Sequence, residues 1–243
     1  MISMKTRRHP ALTLARKEWA TLFNSPATYV IFVFFLLVSG WLFASPLFQF
    51  NQSALDTFLR PIPILFTFMI PALTMRSFAE EYRSGTMEYL ATLPMEDHQI
   101  VLGKYLGAMG LIGALLILTL IYPILLLIIG QPDPGQIVGG YVAVIGLASF
   151  FSAIGLWASA LTRNQVVAFI IGFAVCFSFF SIDWIANMFP SVVGVWIQTL
   201  GIQAHYEALT RGVLDSRDLL YWASGTIFFL AASLAVIHSR RWR

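Results

Sequence analysis

One glycine–lysine pair in the sequence, Gly103-Lys104, could form part of a phosphate site. A nucleotide-hydrolysing loop has the form G-x-x-x-x-G-K-S/T, and its backbone N–H groups cradle the phosphates. Tyr105 occupies the position of the serine or threonine, and His98 occupies that of the first glycine. We therefore expect this chain alone to hydrolyse no nucleotide, and we assign it no catalytic residue.

The histidines are too dispersed to form a metal site. A zinc site on a helix needs a spacing such as H-x-x-x-H, which places two ligands on one face. The four histidines lie in a tail, in loops and at a helix end: His9, His98, His205 and His238. The sequence therefore predicts no metal ligand, and we interpret each histidine as a surface or interface residue.

Two short motifs could belong to an intramembrane protease, and both are incomplete. Glu80-Glu81 begins like the E-E-x-x-x-R pattern of prenyl-protein proteases, but Gly85 stands in place of the arginine. Residues 222–225 read W-A-S-G, which lacks the first glycine of the rhomboid pattern G-x-S-G. An intramembrane enzyme is therefore kept only as an alternative.

A stand-alone carrier is the second alternative. Ion-coupled carriers place ionisable groups inside their spans, where these groups form coupling sites and proton relays. Asp183 is the acidic residue here that could lie within a span, near its outer end. Because no relay is evident, we expect the source of energy to lie in another chain.

The charge distribution shows that membrane helices must position these residues. Of the 243 residues, 58% are apolar and 11% are charged, whereas about 25% are charged in an average soluble domain. Long charge-free intervals alternate with short polar segments, and about 20 apolar residues cross a bilayer. We predict an all-α polytopic membrane protein, one transmembrane domain over 1–243, with spans at about 27–48, 58–79, 100–130, 136–162, 164–186 and 218–238.

Two further segments complete the predicted architecture. Residues 11–25 are expected to form an amphipathic helix in the membrane interface, and a cytosolic helix packed on another part of the molecule is the alternative. Its apolar face would carry Leu12, Ala15, Trp19, Leu22 and Phe23. Residues 187–217 are expected to form an extracytoplasmic helical segment, because residues 187–206 are uncharged but too polar for a seventh span.

The basic residues predict the side of the membrane that each loop faces. With the N-terminus inside, all but three of the 15 Lys and Arg residues lie on the cytoplasmic side, the three being Arg60, Arg211 and Arg217. Short cytoplasmic loops carry an excess of Lys and Arg. We therefore expect both termini to be cytoplasmic.

The most informative stretch is the loop over residues 80–98, between spans 2 and 3. Gly85 can break the helix that emerges from span 2, and Pro94 can end a short helix over residues 86–93. The resulting cytosolic hairpin would offer a partner the charges of Glu80, Glu81, Arg83 and Glu88. A solvated loop with ordinary caps is the alternative. Asp97 is expected to cap the next helix.

This stretch resembles a loop of the permeases of type-two ABC exporters. The sequence is EEYRSGTMEYLATLPMEDHQIVLGKYLG, and the family pattern is E-x-x-x-G-T-x-E-x-L-x-x-x-P-x-x-x-x-x-I-x-x-G-K. The matching positions are Glu81, Gly85, Thr86, Glu88, Leu90, Pro94, Ile100, Gly103 and Lys104. Residues 205–222, HYEALTRGVLDSRDLLYW, are similar to the permease subunit of gliding-motility-associated ABC transporters.

The resemblance implies that this loop is a coupling helix that docks on a separate ATPase subunit, with residues 11–25 as the connecting helix. The implied ATPase-coupling residues are Glu80, Glu81, Arg83, Ser84, Gly85, Thr86, Glu88, Leu90, Leu93 and Pro94. No cofactor would bind this chain directly. ATP and Mg would bind to the partner ATPase.

The resemblance also implies an assembly in the bacterial inner membrane. Two permease copies, or one copy and a related permease, would form a twelve-span channel over two ATPase subunits, and an auxiliary subunit with a periplasmic domain is a further candidate. Lipid is an expected partner and nucleic acid is not. The complex would export an unknown substrate or transmit ATPase motion across the membrane. The substrate path would lie between spans 2 and 5, with Phe66, Phe68, Phe173, Phe177 and Phe179 as candidate lining residues.

Overall fold

The structure is a computed structural model that describes residues 10–50, 55–87, 96–129, 133–186, 188–189 and 191–241. Helices make up nearly all of this part of the chain, and it contains no strand. The helices are α1 (Pro10–Phe23), α2 (Pro26–Phe50), α3 (Asp56–Leu59), α4 (Ile62–Thr74), α5 (Arg76–Ser84), α6 (Asp97–Thr119), α7 (Ile121–Ile129), α8 (Pro134–Leu161), α9 (Gln165–Ala186), α10 (Ser191–Gln198), α11 (Ile202–Thr210) and α12 (Ser216–Arg241). The predicted all-α fold is confirmed.

Six of these helices or helix pairs are long and apolar enough to cross a membrane, as predicted. They are span 1 (Pro26–Ser45), span 2 (Ile62–Ser84), span 3 (Asp97–Ile128), span 4 (Pro134–Leu161), span 5 (Gln165–Ala186) and span 6 (Ser216–Arg240). Span 2 continues to Ser84, beyond its predicted end at residue 79. Residues 80–83 belong to the helix that was predicted to emerge from span 2, since glutamate and arginine are good helix formers, and they form part of α5.

Proline and a polar cap explain where several helices begin. Pro10, Pro26 and Pro134 each occupy a first helical position, where the missing N–H would have no partner within the helix. Asp133 precedes α8, and its Oδ1 accepts a hydrogen bond from the N–H of Gly135 at 2.8 Å.

The cap of α6 differs from the expectation. Glu96, in extended conformation, is the capping residue, and its N–H donates to the Gln99 side chain at 3.3 Å. Asp97 is already the first helical residue. The predicted Asp97 cap is therefore wrong, because the helix begins one residue earlier than a cap at Asp97 needs. Gln99 provides the reciprocal bond of a capping box.

Span 4 lies at the centre of the bundle. Its helix α8 packs against α4, α5, α6, α9, α11 and α12. Spans 1, 5 and 6 instead expose many of their apolar side chains, such as Trp41, Ile170 and Ile227. Apolar surfaces of this extent need a lipid or protein environment, so spans 1, 5 and 6 form the periphery of the subunit.

A serine of span 4 is inserted into the backbone of span 2, where α4 gives way to α5 at Met75. The Ser159 hydroxyl donates to the Met75 carbonyl at 2.8 Å and accepts from the N–H groups of Phe78 and Ala79 at 3.0 Å each. A side chain inserted into the hydrogen-bond ladder is an established cause of a helix break. The two central spans are therefore joined through backbone groups of the broken one.

We expect Ser159→Ala to lower the free energy of unfolding by about 2 kcal/mol, because buried donors without a partner cost about 1–3 kcal/mol. Ser152→Ala is the matched control. Ser152 is also buried in α8, but its hydroxyl has no hydrogen-bond partner within the described residues. Thermal unfolding of both variants in one detergent measures the difference, and equal midpoints would contradict the role given to Ser159.

Candidate coupling site at one end of the bundle

Apart from Glu81, which is half-buried, the residues predicted to contact an ATPase divide into two groups. Glu80, Arg83, Ser84, Gly85 and Thr86 are exposed to solvent at the end of span 2. The remaining positions of the predicted coupling helix lie outside the described residues, namely Glu88, Leu90, Leu93 and Pro94. The described half of the site is therefore the C-terminal turn of α5 and the residues that follow it.

Gly85 ends α5 in a left-handed conformation, with φ of 73°. A glycine is the preferred residue there because it has no Cβ to clash in this region. Thr86 and Met87 are again helical, so the predicted break at Gly85 is confirmed. The Ser84 hydroxyl bonds to the Glu80 carbonyl at 2.8 Å and lies 2.9 Å from Thr86 Oγ1, which holds the two sides of the break together.

Glu81 has a partner inside the chain, unlike its exposed neighbours. Its Oε1 lies 2.7 Å from Lys104 Nζ, and the same Nζ lies 2.9 Å from Glu18 Oε1. The Lys104 side chain is 1% exposed and its ammonium lies 5.2 Å from the centre of the Phe78 ring. One buried cation thus joins α1, α5 and α6.

Sequence reasoning placed Glu81 among the outward-facing charges and did not single out Glu18. The signal that could have found the pair was Lys104 itself, a lysine within the predicted limits of span 3. A buried ammonium is costly without an anionic partner, so a nearby carboxylate was required. Which carboxylate supplies it depends on the packing of a helix 86 residues away.

Helix α1 lies along a glycine stripe on span 3. A Cβ on Gly107 would lie 2.7 Å from the Glu18 Cβ, and Gly103 and Gly110 approach Leu14 and Trp19 in the same way. Small residues allow helices to approach closely in membranes. Lys104, which binds Glu18, lies between Gly103 and Gly107 in the sequence.

The face of α1 that packs on span 3 differs from the predicted apolar face. Leu14 is 6% exposed and packs on span 3, whereas Leu12, on the predicted apolar face, is 58% exposed within the subunit. The location of the predicted face in the membrane interface stays a prediction, and so does the alternative of a helix packed on another part of the molecule. The face against span 3 follows the glycine stripe and Lys104.

Two arginines connect the ends of other helices to this site. The Arg240 guanidinium lies 4.6 Å from the centre of the Tyr82 ring and donates to the Leu161 carbonyl. Arg76 donates to the Ser25 hydroxyl at 3.3 Å. The start of span 1 and the ends of spans 2, 4 and 6 therefore meet at one end of the bundle.

The predicted helices of residues 187–217 are present at the opposite end as α10 and α11. Tyr206 donates to the Leu59 carbonyl at 2.8 Å, and Asp183 Oδ2 accepts from the N–H of Gln203 at 3.2 Å. Asp183 therefore anchors α11 to the end of span 5. It is not part of any acidic or histidine cluster of metal-binding size in the described residues.

His205 is a residue whose role sequence reasoning missed. Its Nδ1 lies 2.6 Å from Asp218 Oδ1 and its Nε2 lies 3.2 Å from the Thr199 carbonyl oxygen. The ring also stacks on Tyr221 at 4.1 Å. His205 thus links α11 to the start of span 6. The sequence offered no signal for this pair beyond an acid 13 residues away.

The candidate lining phenylalanines lie in different surroundings. The rings of Phe68 and Phe173 lie 4.5 Å apart, tilted by 33°, on the outer surface of spans 2 and 5, and Phe177 continues that row. Phe66 is fully buried within the subunit, and Phe179 packs against Phe150. Phe68, Phe173 and Phe177 therefore remain as candidates for a path between paired subunits.

Comparison with protein families identifies the chain. Residues 27–232 match the model of the ABC-2 family transporter proteins. The match covers most of the chain and reaches into all six spans. The chain therefore belongs to this family and is a membrane permease subunit of the ABC-2 type. No curated protein matches the chain. Members of this family are membrane components of transporters and are not themselves catalytic.

Proposed function

We propose that the chain couples to a separate ATPase subunit, which binds ATP and Mg and docks on the protrusion formed by the end of α5. The observation that carries this proposal is the exposed, Gly85-terminated end of α5 beside the buried Lys104 cluster. Glu80 and Arg83 lie exposed on the protrusion. Glu80 and Arg83 carry charges of opposite sign at this helix end. A partner surface with the complementary charges would bind there in one register.

The contacts of α5 with span 4 support the proposal. α5 is the end of span 2, and its first turn is bonded to Ser159 of span 4. A push on the exposed end of α5 therefore acts on the contact between the two central spans. In the proposed cycle, closure of the ATPase on ATP displaces span 2 relative to span 4.

We further propose that two permease copies, or one copy and a related permease, pair in the bacterial inner membrane over two ATPases. The aromatic row of Phe68, Phe173 and Phe177, in which Phe68 and Phe177 are exposed, supports a path between spans 2 and 5 of the pair. Both termini are cytoplasmic in this arrangement, because Arg16, Lys17 and Arg83 belong to the end that carries the coupling site.

The task of the complex is export of a substrate, or transmission of ATPase motion across the membrane. Residues 205–222 are similar to gliding-motility-associated permeases. This similarity supports a role in such a transporter, with an auxiliary subunit on the outer side. Three residues of this segment, His205, Tyr206 and Asp218, hold the outer helices in place. The similar residues therefore belong to an ordered part of the subunit.

A site-specific crosslink tests the proposed docking. We expect p-benzoylphenylalanine at Arg83 to crosslink to an ABC ATPase when the tagged chain is purified from native membranes. The same probe at Arg217, exposed at the other end of the bundle, is the control and should give no such product. The copurified complex should hydrolyse ATP and the chain alone should not. Crosslinking from Arg217 and not from Arg83, or hydrolysis by the isolated chain, would contradict the proposal.

A further inference from the structure

We propose that Lys104 is a positioning residue that makes the N-terminal helix α1 move together with the coupling end of span 2. The proposal rests on the function proposed above and adds α1 to the helices that move with the ATPase. It begins from the arrangement of one ammonium between Glu18 of α1 and Glu81 of α5, at 2.9 and 2.7 Å.

The Lys104 ammonium joins helices that otherwise pack in two different groups. α1 packs chiefly on α6 and α2, whereas α5 packs chiefly on α8, α9 and α4. Lys104 projects from α6 between them and reaches a carboxylate on each side. A displacement of α5 therefore acts on α1 through two short charge-assisted bonds, which are stronger than bonds between neutral groups.

A second contact lies at the other end of α5. Arg76, its first residue, donates to Ser25 at 3.3 Å. Asn24 and Ser25 are the residues between α1 and α2, so this bond reaches the point where the N-terminal helix meets span 1. α5 is thus joined to the α1–α2 unit directly through Arg76 and indirectly through Lys104, and motion of the protrusion acts on span 1.

The buried ion cluster is better suited to fixing the positions of the helices than to stabilising the fold. Replacing a buried ion cluster with apolar groups is often neutral or stabilising, so such a cluster is weak support for stability alone. It does fix geometry, because a 1% exposed ammonium must keep its carboxylates within bonding distance. Glu81 Oε2 is also buried and without a hydrogen-bond partner in the described residues, so the orientation of this carboxylate depends on Lys104.

Distance measurements between spin labels test the proposal in the complex of permease and ATPase. Labels are placed at Thr13 on α1 and at Arg163 after span 4, both exposed, in a Cys176→Ser background. We expect ATP with vanadate to shift this distance in the otherwise unaltered chain. Lys104→Met should abolish the shift, and Lys104→Arg, which keeps the charge and the length, should retain it.

A second variant separates positioning from misfolding. The triple variant Glu18→Gln, Glu81→Gln and Lys104→Met leaves no unpaired buried charge, and it should fold and yet show no nucleotide-dependent shift. A normal shift in the triple variant or in folded Lys104→Met overturns the proposal, and so does an unaltered chain in which α1 does not move. The Arg83 crosslink tests the ATPase docking separately. If that crosslink is lacking in the unaltered chain, the proposed function fails, and the role of Lys104 fails with it.

Discussion

Gly85→Pro is expected to fold with all six spans intact and to lose its association with the ATPase. The φ of Gly85 is 73°, whereas proline fixes φ near −65°. Proline also disfavours helical conformation in the residue before it, so the last turn at Ser84 is altered as well. The protrusion is therefore redirected without any change to the apolar spans.

The control at this position is Gly85→Asn. Asparagine visits the left-handed region more readily than other residues with a Cβ, and no described atom lies within 4 Å of a Cβ built on Gly85. We expect Gly85→Asn to keep the crosslink from position 83, and Gly85→Pro to weaken ATPase binding by at least about tenfold, which corresponds to about 1.4 kcal/mol. Equal binding by the two variants would show that the direction of this protrusion does not matter for docking.

Gly139→Ala is expected to have the largest effect at the end of the bundle that carries α10 and α11. A Cβ on Gly139 would overlap the carbonyl oxygen of Leu209 and would lie 3.1 Å from the Cα of Gly212. Both are backbone atoms, so no change of side-chain rotamer relieves the contact, and α11 must move away from span 4. Overpacking of this kind costs about 1–3 kcal/mol, occasionally more.

Gly113→Ala is the matched control for Gly139→Ala. Gly113 also lies within a span, but no described atom is within 4 Å of a Cβ built on it, and alanine favours a helix over glycine by about 1 kcal/mol. We expect Gly113→Ala to unfold at or above the midpoint of the unaltered chain, and Gly139→Ala to unfold below it. Protease sensitivity confined to residues 187–217 in Gly139→Ala would place the damage at α11. A lower midpoint for Gly113→Ala than for Gly139→Ala would contradict the packing described.

The coupling site was predictable in part. Gly85 could be assigned as a break because glycine is the residue that tolerates a left-handed helix end. The helix that emerges from span 2 and ends at Gly85 was therefore predicted, whereas the end of span 2 was placed at residue 79, because charged residues mark the end of an apolar run. The residue expected as the cap of α6 was off by one, since neighbouring acids at Glu96 and Asp97 are equally good candidates from sequence.

The sequence by itself determined the six spans and the class of protein. Both follow from local properties, since the length of an apolar run and the scarcity of charge are enough to select a membrane helix. A glycine or proline at the end of a helix likewise acts on its immediate neighbours, as Gly85 and Pro134 do.

The tertiary structure alone decided which polar groups meet. Lys104 binds a carboxylate 86 residues away, and Ser159 bonds to backbone groups about 80 residues away. The face of α1 that is buried was likewise set by glycines of another helix. Because a buried polar group must find a partner in an apolar medium, the sequence shows that a partner is needed. Its identity depends on how distant helices pack, and hydropathy contains no information about that.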